Sequence, residues 1–566
     1  MRSYVLGRPW GRFWCAVALS AIGTGYLLPD SEAQTLNDPS RIERQLPPPS
    51  SPTPQPEISV PRQEDLTVPP GTDRQKFQLR SLEIEGATVY STERFAPFYD
   101  RSIGKDVSLA DLYGIAAKIT QFYRQSGYVL SFAVVPEQTI VDGKARIQVI
   151  EGYIEKIELE GAPKPQLDRI QAITDKILAS RPLQVKDLER QLLLANDLAG
   201  IKARAVLRRG SSLGTSTLLV RAAYDPIDVF GELTNRGTEE VGPLRAQAGV
   251  SLNSILEEGE RVTVRGATSL SNPSELALGS INVVAPIGND GLKLNLDGSY
   301  TSVNPRGDLR DLGINGRTVA LEAGLTYPIV RSRQTSIYLK GSFDYADSRN
   351  RSELLDAVLS QDRLAVVRLG VQFENLDPLG AFQGSFQISQ GVGGTETGTA
   401  TEPLSRAAGS AVFTKLNLNL TRNQKLPSRF NLLLSGKAQI TGDALLTREL
   451  IGLGGETFGG AFDPDVLLGD YGYGLRAELQ RPFLYRGFGL PMATQPYIFA
   501  DYGQVFRNAP TAAENSSDAL GSVGLGVRHS FNSNVFVGLE LAFPFERTDV
   551  SFKNDPRLFF VITGFF

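Results

Sequence analysis

The chain carries a single cysteine, Cys15, and a single histidine, His529, in 566 residues. Cys15 falls in a segment read below as removable, so the mature chain would hold no disulfide and no thiolate chemistry. One histidine leaves no His-based triad, no clustered zinc site and no ready general base at neutral pH. No catalytic residue, metal or cofactor is therefore expected, and nothing resembles a nucleotide-binding loop. Basic blocks are missing too, and a net charge of -4 gives no reason to expect nucleic acid as a partner. Beyond the N-terminal segment no window holds eighteen consecutive apolar residues, which excludes a helical membrane protein from there on.

What the sequence does hold begins with an export signal. Arg2, Arg8 and Arg12 flank an apolar run from Phe13 to Ile22, and Ser31 and Ala33 make a small-x-small cleavage site. Residues 1–33 read as a leader, since the run is shorter than the roughly 20 residues that span a bilayer. Residues 34–76 read as a tether: prolines crowd from Leu46 to Pro56 and favour an extended linker. Just before them, Asp38 as N-cap and Pro39 at the first helical position predict a short helix to Gln45, marginal on its own.

From Phe77 to Pro226 a pattern of strand, two helices and two strands occurs twice, over 77–152 and 153–226, which is an α+β arrangement. In the first copy Leu82 and Ile84 alternate along a strand, and Ser108 with Asp111 forms a capping box ahead of a helix stopped by Gly127. Strands follow from Val129 to Val135 and from Lys144 to Ile150, joined across Asp142-Gly143. The second copy has a helix from Asp187 to Leu198, closed by Gly200, and a last strand from Leu218 to Ala222.

Over residues 227–566 polar and apolar residues take turns in segments of about ten, separated by Gly, Asn, Asp and Pro. Val412, Thr414, Leu416, Leu418 and Leu420 can face lipid while Phe413, Lys415, Asn417, Asn419 and Thr421 face a wet interior. At about 21 residues per strand and connection the region supplies about 16 antiparallel strands, a transmembrane β-barrel with an aqueous lumen. A soluble solenoid or sandwich would instead bury Lys, Asn and Gln at every second position, at about 2 to 7 kcal/mol each without partners. The C-terminal run places Leu558, Phe560, Ile562 and Phe566 on one face. A terminal Phe on such a strand resembles the signal read by the barrel-assembly machinery, although an ordinary apolar last strand looks the same.

Several stretches carry a family resemblance. Tyr123-Arg124-Gln125-Ser126-Gly127-Tyr128 and the run from Val135 to Ile154 resemble the first POTRA domain of the TpsB transporters, the ShlB/FhaC/HecB-type pores of two-partner secretion. The match continues through Asp187-Leu188-Glu189-Arg190 and Leu194 to Ile201, then Asn235-Arg236-Gly237 with Gly242-Pro243. The resemblance implies two periplasmic POTRA domains and a barrel in the outer membrane of a Gram-negative cell. It implies an unfolded secreted exoprotein as partner, with outer-membrane lipid around the barrel, and the helix at Asp38–Gln45 as a plug.

Leu453 to Pro464, followed by Gly469-Asp470, resembles the family's sixth extracellular loop, which folds back into the lumen; a plain surface turn is the alternative. Gly455, Phe458, Gly460, Phe462 and Asp470 are its candidate residues. The family usually carries an Arg-Gly-aromatic motif there, and this chain has Gly460-Ala461-Phe462. The wall Asp that pairs with that Arg corresponds to Asp501, so either Arg448 or Arg476 substitutes or the loop is looser. For substrate, strand addition at a POTRA sheet edge points to Val129, Ser131, Ala133 and Val135. An assembly factor of the BamA/TamA kind is the other reading, and a passive porin is disfavoured by the repeats at 77–226.

Overall fold

The computed structural model describes residues 38–47, 49, 58–59, 68–395, 398–487, 489–512, 514–532, 534–547 and 555–566; the expected leader and Cys15 lie outside them. Asp38 caps the first helix, Pro39–Gln45, by accepting the Ser40 N–H at 2.8 Å.

The first α+β unit is a three-stranded sheet. Lys144–Ile150 lies at its centre, parallel to Ser81–Glu85 and antiparallel to the edge strand Phe132–Val134. Alternation buries Ala145, Ile147 and Val149 against one face of helix Leu109–Gln125, which contributes Leu112, Ile115, Ile119 and Tyr123. The helix starts on the expected capping box, the Ser108 N–H reaching Asp111 at 2.7 Å and the Asp111 N–H reaching Ser108 at 3.2 Å. Asp142 and Gly143 both take positive φ, 53° and 69°, as the tight hairpin turn requires.

The second unit repeats the plan with Tyr153–Glu160, Thr215–Tyr224 and Ile201–Arg209 in that order. Its helix runs Val185–Asn196, starting before Asp187. The Ser180 hydroxyl accepts the Gln184 N–H at 3.1 Å and donates to Asp187 at 2.7 Å, which ties the first turn to the preceding segment.

The barrel closes with sixteen strands: β1 Ile227–Thr234, β2 Arg245–Asn253, β3 Arg261–Ser269, β4 Leu276–Ile287, β5 Leu292–Val303, β6 Ile314–Arg331, β7 Thr335–Ser352, β8 Ala357–Asp377, β9 Gly380–Gly394, β10 Thr414–Lys425, β11 Asn431–Thr441, β12 Tyr471–Gln480 continued by Phe483–Gly487, β13 Leu490–Phe506, β14 Ser517–Phe531, β15 Val535–Arg547 and β16 Arg557–Phe565. The two pieces of β12 count as one because both pair with β13. Outward positions such as Leu321, Leu339, Phe343, Leu369, Phe386 and Leu525 stay exposed, an apolar belt that only lipid would cover. Closure rests on five residue pairs between β1 and β16, from Phe230 opposite Phe565 to Thr234 opposite Val561. Asn235 extends the seam, its side chain donating to the Leu558 carbonyl at 2.9 Å and accepting the Phe560 N–H at 2.7 Å.

Inside the barrel the expected wet interior is corrected at Phe413, and at Lys415, which is buried against Glu449. Phe413 points inward as its parity demands, yet it is dry, packed with Leu364, Val366, Leu445, Leu446 and Leu468. Alternation tells which side a residue faces; it does not tell what fills that side. Here residues 398–413 and the loop 442–470 fold over the lumen and exclude water.

Candidate functional site

The short helix sits inside the barrel. Ile42 and Leu46 bury their side chains among Val241, Ala267, Leu276, Leu278 and Val303, the upper inner wall. Arg41, 3% exposed, donates from Nη1 to the Thr447 and Leu450 carbonyls at 2.9 and 3.0 Å and pairs with Asp465 at 3.1 Å. Arg44 donates to the Arg448 carbonyl at 2.6 Å and pairs with Glu449 at 3.3 Å. In return Arg448 donates to the Ser40 carbonyl at 3.1 Å. The wall completes the cluster, with Arg368 and Lys415 each 2.9 Å from Glu449. A buried carboxylate needs such partners, because an unpaired charge there costs several kcal/mol.

The groups that accept from Arg41 and Arg44 all belong to one loop, residues 442–470 between β11 and β12, which is the sixth extracellular connection. It returns into the lumen as a two-stranded arm, Ile451–Leu453 against Leu467–Gly469. Leu453, Phe458, Phe462 and Val466 pack on Tyr497, Phe499 and Leu520 of the wall. Gly454 turns the tip at φ 114°, and a Cβ there would lie 2.1 Å from the Asp463 carbonyl oxygen. Gly455 also takes a positive φ, 88°. Asp470 anchors the loop base, fully buried, accepting the Leu445 N–H at 2.6 Å and pairing with Arg406 at 2.7 Å.

The cation opposite Asp501 is Arg476. The two stand directly opposite each other on β12 and β13 and pair at 3.2 Å. The Arg476 guanidinium also meets Glu540 at 2.9 Å, stacks 3.7 Å from the Phe499 ring centroid and donates to the Glu456 carbonyl at 3.0 Å. The loop tip adds backbone contacts, the Gly460 N–H to Asp501 at 3.0 Å and the Ala461 N–H to Ser522 at 3.3 Å. A Cβ on Gly460 would lie 2.9 Å from the Phe499 ring and 3.1 Å from Arg476 Nη1, so a side chain at 460 and the guanidinium of Arg476 compete for one space. Of the two substitutes considered from sequence, Arg476 holds the wall site and Arg448 holds the helix.

The four residues expected to line a substrate groove divide. Ser131 and Ala133 are fully buried, the Ser131 hydroxyl accepting the Gly152 N–H at 3.2 Å, and Val129 packs against the second unit's core. Val135 packs on the first unit's core, half-buried. Any strand addition at this edge would thus use backbone groups and not those side chains, and would have to share or displace the Ala133 N–H, which the Thr120 hydroxyl takes at 2.9 Å. The matching edge of the second sheet is occupied: Ile58–Ser59 of the linker pairs with it in parallel, Ile58 opposite Ala205.

Residues 214–529 match the family model described as haemolysin secretion/activation protein ShlB/FhaC/HecB, and residues 77–152 match the POTRA domain, ShlB-type. The chain belongs to this family. Among ShlB/FhaC/HecB-type relatives it is 23% identical over 496 residues to the heme/hemopexin transporter protein HuxB of Haemophilus influenzae (strain 86-028NP), covering 83% of this chain and 84% of the relative. It is 22% identical over 485 residues to the outer membrane transporter CdiB of Dickeya dadantii (strain 3937), covering 83% of each. In fold it matches CdiB from Escherichia coli with a TM-score of 0.71 at 19% identity, covering 89% of this chain and 93% of that one. CdiB from Acinetobacter baumannii follows at 0.62 and 16%, covering 95% and 100%. The chain is thus an outer-membrane transporter of the two-partner secretion type, with a membrane barrel and periplasmic POTRA region, from a family that works with secreted exoproteins.

Sequence reasoning missed Arg41, Arg44, Arg368, Lys415, Glu449 and Asp465. The signal for the wall pair was available, since Arg368 and Lys415 are cations at inward-facing strand positions; the loop acids gave none, because their partners lie far off in sequence.

Proposed function

We propose that this transporter takes up its unfolded exoprotein along the open sheet edge at Phe132–Val134, and that helix Pro39–Gln45 must leave the lumen before the exoprotein passes. The observation that carries the reading is the helix's mode of attachment. Its side chains bind loop 442–470 and the wall, and the chain that follows is a proline-rich tether long enough to let it withdraw. Seven residues make no autonomous helix, so leaving the lumen also unfolds it, and the docked state is held only by contacts that can be broken together. Nothing in the sequence resembles a nucleotide-binding loop, and folding of the exoprotein outside the cell is the driving force in this reading. Lipid surrounds the apolar belt, and Phe566 serves as the terminal residue read by the assembly machinery. Deleting residues 34–45 tests the plug: single-channel conductance should rise, and an unchanged conductance refutes the assignment.

A further inference from the structure

The second POTRA unit covers only part of the periplasmic mouth. Its contacts with the barrel fall on three turns. Ala199 N–H meets the Gly259 carbonyl at 3.1 Å, Lys176 pairs with Asp290, and Glu189 and Asp197 pair with Arg333 and Arg331, both at 2.7 Å. These turns join β2 to β3, β4 to β5 and β6 to β7. The chain leaving the helix keeps to the same side, the Pro47 carbonyl accepting from Gln247 of β2 at 3.2 Å and the Leu46 carbonyl from Arg265 of β3.

Beyond β7, the periplasmic half of β8–β10 borders a cavity of about 460 Å³. Its inward side chains are Gln372 on β8, Gln383, Ser385 and Gln387 on β9, and Asn417 and Asn419 on β10, with Lys340 at the rim. They stand in rungs, Gln387 opposite Asn417 and Ser385 opposite both Gln372 and Asn419. Elsewhere on the inner wall ion pairs recur, as at Arg368–Glu449 and Arg476–Asp501. Apart from Lys340 the inward groups lining this cavity are amides and hydroxyls; Glu374, opposite Gln383 and accepting from Gln372 at 2.9 Å, and Lys437, opposite Asn419, border it.

We propose that this amide-lined wall is the track along which the translocating polypeptide slides in extended form. Inward residues on one strand recur every second position, about 6.6 Å, the same period at which an extended chain presents its own backbone groups. Each amide both donates and accepts, so it meets N–H and C=O alike, whatever side chains the substrate carries. Charge of both signs stands only at its borders, Glu374 on one side and Lys340 and Lys437 on others, so the amide lining itself neither traps nor repels acidic or basic stretches strongly. The track begins beneath the part of the mouth that the described POTRA contacts leave clear.

The inference rests on the transport reading, and the test separates the two. The first step identifies the exoprotein as the one lost from the culture medium when the gene is deleted; no loss overturns transport and track together. In full-length protein, a photo-crosslinking residue at Gln387 or Asn419 should attach to that exoprotein during secretion, whereas one at Gln247 should attach to the transporter's own linker at rest and capture little exoprotein during secretion. Exoprotein captured at Gln247 and not at Gln387 or Asn419, or captured at none of them, overturns the track. As a second measure, Gln387→Leu with Asn419→Leu should lower secretion at least tenfold at unchanged outer-membrane level, and Asn295→Leu with Thr326→Val on β5 and β6 should not. Equal secretion from both double variants overturns it as well.

Discussion

Replacing Arg41 by alanine removes the most buried contact between the helix and loop 442–470. Its guanidinium gives two hydrogen bonds from one nitrogen, at 2.9 and 3.0 Å, and one ion pair at 3.1 Å. In the withdrawn state water would satisfy the same groups, so only the net difference counts. A hydrogen bond to a charged group is worth about 1.5 to 3 kcal/mol net, and desolvation of the guanidinium offsets part of the second bond. Taking about 2 kcal/mol for the whole side chain, the ratio of docked to withdrawn helix falls about 30-fold. In planar bilayers the purified Arg41→Ala protein should spend about that much more time in the high-conductance state, with the current amplitude of the helix-deleted protein. Arg41→Lys, which can keep one of the bonds, should fall between. An open fraction equal to wild type, in a protein whose helix deletion does raise conductance, would refute the argument that these contacts hold the helix.

Two further outcomes concern other sites. Arg476→Gln strips a buried partner from Asp501 and Glu540 at once, and breaking a buried pair costs about 3 to 5 kcal/mol. The folded barrel band on unheated gels should melt at lower temperature, and Gly460→Arg should rescue it only where Arg476 is absent, because both side chains claim the same space; rescue that ignores Arg476 contradicts the geometry. Glu151 tests the first POTRA unit: burial raises its pKa, but hydrogen bonds from the Thr88 hydroxyl and the Val89 and Thr88 N–H groups, and from Tyr123, outweigh burial and hold it below 4.5. The stability this gives is present above 4.5 and lost as pH falls through the lower folded value. Amide protection of the unit, corrected for intrinsic exchange, should drop below about pH 4.5 in wild type and stay level in Glu151→Gln; level protection in both would remove the carboxylate from the account.

Much of the architecture was legible because it rests on periodicity and local chemistry. The capping box at Ser108 and Asp111, the turn at Asp142-Gly143 and the cap at Asp38 each involve neighbours in sequence, and each forms as its residues require. The strand alternation that placed Leu416 to Leu420 outward is likewise a property of consecutive residues. Ser131 and Ala133 show the limit: strand character was readable, but that the helix packs over this edge, burying both residues and taking the Ala133 N–H on the Thr120 hydroxyl at 2.9 Å, was not.

By itself the sequence determined a sixteen-strand, oily-outside barrel behind two α+β units, because burial of apolar faces and exposure of polar ones follow from residue order alone. Only the tertiary structure decided that Arg476 on the wall supplies the cation paired with Asp501, that Phe413 is dry, and that Arg41 and Arg44 hold the helix to residues some 400 positions away. Charge pairing depends on distance in space, and a closed barrel with a loop folded back through it brings together groups whose separation along the chain carries no trace of their meeting.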